Sequence, residues 1–293
     1  MLGKLIKYDM KALNRFLILI HGFLLFAALL VRFFLTGRVL VETPKDGTLL
    51  GLSFLLFFLI IMAVSFGTFI VIAVRFYKNL FSDEGYLTRT LPVTSGQHLL
   101  SKTIAGSIWG SLDMILLLAS FYIISATPFV VDAFNDNKDL ILRELGVTGK
   151  YADVSMGAIV AGLIFFLVIS AITSVITIYA SIILGQLFSG HRILGAVVSY
   201  FALTTVVSVI SFAVMAIYGL FSDTFLIASS SAPPADFNFI AYMIDLLKVT
   251  TVLSVAVDVV LYILSYYIMK KKINLIYSAK QAMGSARTSW PVL

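Results

Sequence analysis

The chain contains no cysteine, and only 12% of its 293 residues are charged. The first absence excludes disulfide frameworks, thiolate zinc sites, iron–sulfur clusters and cysteine nucleophiles. The second excludes an ordinary water-soluble enzyme: a soluble domain carries about 25% charged residues, and this chain has too few to wet the surface of the two cores its length would imply. Also missing is a glycine-rich loop ending in Gly-Lys-Ser or Gly-Lys-Thr, whose backbone amides and lysine would cradle phosphates. The three histidines, His21, His98 and His191, are scattered, and no carboxylate pair shares a water-facing cleft. The expectation is a non-catalytic chain without a cofactor or metal.

What the chain has in excess is apolar surface. Residues of the hydrophobic set make up 60%, and the mean hydropathy is +1.03. A bilayer core of about 30 Å needs roughly 20 apolar residues of helix, because lipid offers no partner to a bare backbone amide. Six stretches qualify, at about 16–36, 50–74, 103–126, 157–184, 193–220 and 248–269. Arg32, Asp113 and Asp258 are the charged residues well inside them. The fold class expected is therefore an all-α membrane protein with six transmembrane helices, residues 16–269 forming the transmembrane domain.

The net charge of +6 has a plain use in such a protein, and no nucleic-acid partner is expected. Lysine and arginine stay preferentially on the cytoplasmic side. The segments before the first span, after the second, after the fourth and after the last hold 14 basic and three acidic residues; the other loops hold six basic and ten acidic. Both termini are expected to be cytoplasmic, in a bacterial plasma membrane. Residues 1–15 place Leu2, Leu5, Ile6, Met10 and Leu13 at helical spacing, with Lys4, Lys7 and Lys11 elsewhere on the wheel, and read as an amphipathic elbow helix on the lipid surface. Their apolar sequel lacks the small-residue site of a cleaved signal peptide. Residues 270–293 read as a basic tail. In the outer loops, 137–145 reads as a short helix stopped by Gly146, and 237–247 as a further helix on or in the outer surface ahead of the last span.

The inner segment from Arg75 to Lys102 mixes aromatics with charges. Phe76, Leu80 and Phe81 with Tyr86 and Leu87 give one apolar side to a short crosswise helix; Pro92 breaks it, and Thr94 with Gln97 forms a capping box that starts the third span. Asp83, Glu84, Gly85 and Tyr86 lie at its centre. A solvated interfacial linker is the alternative. The run Ser82-Asp-Glu-Gly-Tyr-Leu-Thr-Arg-Thr-Leu-Pro-Val93, with His98-Leu-Leu-Ser-Lys102 after it, resembles a pattern of ABC-2 type transporter permeases of Gram-positive bacteria: Glu-Gly-Tyr-Leu, a Leu-Pro turn, then Leu-Leu-Ser-Lys leading into the next helix. The specific part covers some twenty residues; six spans, a basic elbow helix and a long last outer loop extend the likeness over the chain. Arg89 departs from the pattern, where related chains often carry an uncharged residue. The resemblance implies that this loop is a coupling helix docking on a separate ATP-binding cassette ATPase through Phe81, Asp83, Glu84, Gly85 and Tyr86. It further implies that the short inner loop 185–192, with Gln186 and His191, is the second contact, and that the permease works as a homodimer or with a paralogue.

Asp113 and Asp258 stand mid-span, where a carboxylate costs about 2.5 to 3.5 kcal/mol on the translocon scale. Each must face protein or water. They read either as a polar patch in a translocation path or as structural hydrogen-bond partners of serine or threonine on a neighbouring helix. Arg32 can snorkel to the outer interface, His21 reads as a structural residue, and Gly106 with Gly110 permits close helix approach. The function expected is the membrane-spanning subunit of an ATP-driven exporter moving an amphiphilic substrate, such as a peptide, outward. The rivals are an ATP-independent secondary transporter using Asp113 and Asp258, which would ordinarily show internal repeats and more spans, and a membrane immunity or sensor protein.

Overall fold

The computed structural model describes residues 1–34, 36, 46–82, 84, 85, 88, 92–147, 151, 155–188, 190–220 and 238–273. All regular structure among them is helical: α1 (Leu2–Phe34), α2 (Asp46–Phe81), α3 (Ser95–Ser125), α4 (Pro128–Glu144), α5 (Met156–Gly185), α6 (Arg192–Ile217) and α7 (Phe239–Ile268), which runs into a π-helical turn, Met269–Ile273. Six of these, all but α4, are long and apolar enough to cross a membrane. The chain is a multi-pass membrane protein.

Each apolar stretch of the sequence coincides with one of these helices. The stretches ending at 36, 126, 220 and 269 run one to three residues past Phe34, Ser125, Ile217 and Ile268, whereas several helices begin well before their stretch, because hydropathy ends at the water interface while a helix ends at a breaker or cap. Residues 1–15 are not set off as a separate elbow: they are the first turns of α1, a helix of 33 residues, about 50 Å at 1.5 Å per residue and so longer than the bilayer core. Nothing between Arg75 and Phe81 stops a helix, so Phe76, Leu80 and Phe81 belong to the inner end of α2 rather than to a crosswise helix. Of the remainder of that expected helix, residues 83, 86, 87 and 89–91 lie outside the described residues, as do 274–293 of the basic tail. The outer segment 237–247 merges with the last span into one helix from Phe239, there being no breaker before Lys248.

The caps follow the sequence. Thr94 and Gln97 form the reciprocal capping box that starts α3, and Thr127 caps α4 ahead of a proline in its first turn. Gly146, at φ 78°, turns the chain out of α4 as a β-carbon would resist. Asn238 then clasps that turn to α7: its Nδ2 donates to the Gly146 carbonyl at 2.8 Å while its Oδ1 accepts from Ala241 N–H at 2.9 Å.

Two sets of helices share α3 and α5 as their seam. Helices α1 and α2 pack on α3, and α6 and α7 pack on α5. At the seam Gly106 faces α5 so closely that a β-carbon would stand 2.6 Å from the Tyr179 hydroxyl. The main core, at the end where the basic residues collect, joins Leu13, Leu17, Phe76, Leu99, Val175 and Ile183. There Tyr179 stacks on Phe76 with ring centroids 3.8 Å apart.

Candidate functional site

Several of the polar residues buried inside the bundle, His21, Ser101, Lys102 and Asp113 among them, lie where α1 runs beside α3. These two helices are parallel, and a ladder of polar contacts fixes their register. At the basic end, Asp9 accepts from Ser101 Oγ and from Lys102 Nζ, both at 2.8 Å. Next, Trp109 Nε1 donates to Asn14 Oδ1 at 2.9 Å. Deeper, His21 Nε2 and Asp113 Oδ1 are 2.8 Å apart, and near the far end Arg32 Nη1 donates to the Ile123 carbonyl at 2.6 Å. Partners along the ladder are 91 to 95 positions apart, a nearly constant offset that only a parallel, in-register pair can keep.

The rung at Asp113 is the most enclosed. Asp113 is 0% exposed and His21 3%. His21 Nδ1 lies 2.8 Å from the Leu17 carbonyl, which can only accept, so Nδ1 carries a hydrogen. One further proton then lies between Nε2 and Oδ1, on the imidazole or on the carboxyl. Either way the pair has no net charge, which removes most of the cost of burying it. Thr68 of α2 stands 3.0 Å from the same Oδ1, its hydroxyl proton shared with the Val64 carbonyl at 2.9 Å. Trp109 closes one side, its ring centroid 5.6 Å from that of His21. Asp113 Oδ2 has no hydrogen-bond partner among the described residues.

Asp258 occupies the other helix set. It is 9% exposed; its Oδ2 accepts from Thr173 Oγ1 of α5 at 3.0 Å, and its Oδ1 is buried without a partner among the described residues. The two carboxylates thus do not share a site. Each meets a threonine of a neighbouring helix, and Asp113 has in addition the histidine.

The expected partner-contact residues are less uniform. Phe81 is 5% exposed and packs edge-on to Phe76, with centroids 5.9 Å apart, so it is a core residue rather than a free anchor. Glu84 is exposed and Gly85 buried; a β-carbon on Gly85 would lie 2.7 Å from the Leu80 backbone. Asp83 and Tyr86 lie outside the described residues. In the other inner loop Gln186 is buried, with Nε2 donating to the Ile182 carbonyl at 3.1 Å, whereas His191 is exposed ahead of α6. No group of three or more histidines and carboxylates that could hold a metal ion occurs among the described residues.

The residue that sequence reasoning undervalued is His21. Counted from the hydropathy boundaries, His21 and Asp113 fall at different depths. Counted from the true helix starts they match, nineteen residues after Leu2 and eighteen after Ser95, and that count needs the N-terminal segment and the capping box to be read as parts of the spanning helices. Comparison with protein-family models, with curated proteins and with solved structures found no match.

Proposed function

We propose that this chain is the membrane-spanning subunit of an ABC-2 type exporter, working as a pair with a second copy or a paralogue. It moves an amphiphilic substrate, such as a peptide, outward while a separate ATP-binding cassette subunit hydrolyses ATP. Six apolar helices are consistent with a transport protein; the observation that carries the finer reading is the segment 82–102 and what its residues do. In Leu99-Leu-Ser-Lys102, Leu99 is in the core and Ser101 and Lys102 hold Asp9, so this half of the motif fastens the start of α3 to the base of α1. Glu84, in the other half, is exposed and is left for a partner. A force on that loop would be transmitted directly to α1 and α3. In this reading both termini and the loops 75–102 and 185–192 face the cytoplasm, as the charge bias requires.

The second reading, a proton-coupled carrier, draws on Asp258, whose buried Oδ1 lacks a partner among the described residues. Asp113 supports it less: it is fully enclosed and already shares a proton with His21.

Because the chain has no cysteine, Glu84→Cys puts a single thiol on the loop. A thiol-reactive cross-linker applied to isolated membranes is expected to capture an ATP-binding subunit, identified by mass spectrometry. Labelling of that thiol from outside intact cells, or cross-links to this chain alone, would count against the assignment.

A further inference from the structure

The lipid-facing side of the α1–α2 pair carries a site that none of the foregoing uses. Near the basic end of the molecule Tyr8, Lys11, Arg15 and Phe16 of α1 and Arg75 of α2 line an open cleft of about 330 Å³. Three cations converge there. Among the described residues none of them pairs with a carboxylate: Asp9, the nearest acid along α1, is held by Ser101 and Lys102, and although it lines a small cavity together with Arg75 the two form no ion pair. Arg75 Nε is buried with no hydrogen-bond partner among the described residues. A guanidinium with two further cations lining the same cleft has the charge and the donors to match a phosphate.

The same two helices continue the cleft into the membrane. On α1 the stripe of Ala12 and Phe16 leads to Leu19 and Phe23, and on α2 that of Arg75 leads to Gly67 and Ile60, following the spacing of one helix face. There they line an apolar groove of about 400 Å³. A β-carbon on Gly67 would meet nothing within 4 Å, so the groove floor is open. Gly67 lies eight residues from Arg75 and Ile60 fifteen, or about 12 and 22 Å along the helix at 1.5 Å per residue. A leaflet of about 15 Å below a headgroup at Arg75 takes in Gly67, so an acyl chain hanging from that headgroup runs over Gly67 and ends short of Ile60.

We propose that this surface binds one anionic phospholipid, its phosphate held by Lys11, Arg15 and Arg75 and an acyl chain lying in the groove over Gly67. The juxtaposition of a cation cluster with an apolar groove on the same two helix faces selects a lipid over a free anion, which would use the cluster alone.

The test is native mass spectrometry of the full chain released from micelles containing phosphatidylglycerol, phosphatidylcholine or inorganic phosphate. Juxtamembrane cations each favour an anionic lipid severalfold, so phosphatidylglycerol is expected to be retained at least about tenfold better than phosphatidylcholine. Lys11→Gln/Arg15→Gln/Arg75→Gln is expected to abolish that preference. The variant Lys270→Gln/Lys271→Gln/Lys272→Gln, which removes as many charges elsewhere, is expected to keep it. Gly67→Leu, whose β-carbon would meet nothing within 4 Å and whose side chain would take up part of the groove, is expected to lower phosphatidylglycerol occupancy severalfold at an unchanged elution volume. Should the triple cleft variant fail to fold, Arg75→Gln and Gly67→Leu carry the same comparison. Equal retention of both lipids by the wild-type chain, loss of preference in the tail variant as large as in the cleft variant, full occupancy in Gly67→Leu, or displacement of the lipid by inorganic phosphate would each overturn the proposal.

Discussion

The pair of His21 and Asp113 decides what a single residue can be asked to do in this bundle. In a soluble core, removing one member of a buried ion pair costs about 3 to 5 kcal/mol. In a membrane the unfolded reference also finds partners, and interhelical hydrogen bonds average only about 0.6 and reach about 1.7 kcal/mol. With two contacts at 2.8 Å around His21 and complete enclosure of Asp113, the upper end applies. A double-mutant cycle of His21→Leu and Asp113→Leu, read by detergent-induced unfolding followed by circular dichroism, is expected to give a coupling of about 1 to 2 kcal/mol; zero coupling would mean that the two side chains do not depend on one another. At Phe81 the core position makes the expected outcome a loss of stability: Phe81→Ala should cost about 3 to 5 kcal/mol in the same unfolding assay, and Glu84→Cys, on an exposed residue, close to nothing. Sequence reasoning could see that Asp113 and Asp258 each needed a partner. It could not see which, because Thr68, Thr173 and His21 are three among many polar residues of the spans, and choosing between them requires the helix register.

The helices themselves were the most legible feature, since about 20 apolar residues in lipid have hardly any alternative to helix. Their ends were not, and each error has the same cause. Hydropathy marks where the lipid stops, whereas the backbone stops only at residues such as Thr94, Gly146 and Asn238. Residues 1–15 and 239–247 are accordingly parts of α1 and α7. The Gly106 and Gly110 pair was legible as a close-contact motif, but its partner helix was not. The geometry on α5 now separates the two positions: a β-carbon at Gly106 would stand 2.6 Å from a Tyr179 hydroxyl that itself donates to the Lys102 carbonyl, while at Gly110 the nearest atom would be 3.4 Å away. Gly106→Ala is therefore expected to destabilise the bundle by about 1 to 3 kcal/mol through overpacking, and Gly110→Ala to be close to neutral. Equal effects in the unfolding assay would contradict the α3–α5 contact.

For the molecule as a whole, membrane insertion followed from composition alone, and the separation of basic from acidic loops predicted which end faces the cytoplasm. Cargo was not legible, because an apolar bundle accommodates many amphiphiles. Orientation can be measured directly in this cysteine-free chain. Cysteine introduced at Ser82 is expected to be protected from an impermeant reagent in intact cells, and at Ser230 to react; the opposite pattern would invert the topology. The reading of an ATP-driven exporter meets its most direct test in the material that comes with the full chain when it is purified in mild detergent from its native membranes. The expected result is an ATP-binding subunit in stoichiometric amount with vanadate-sensitive ATP hydrolysis, both lost in Glu84→Lys and both retained in Lys248→Gln at the far end. A wild-type chain that arrives alone, without ATP hydrolysis, yet carries out transport in ATP-free vesicles under a proton gradient that Asp258→Asn abolishes, would contradict it.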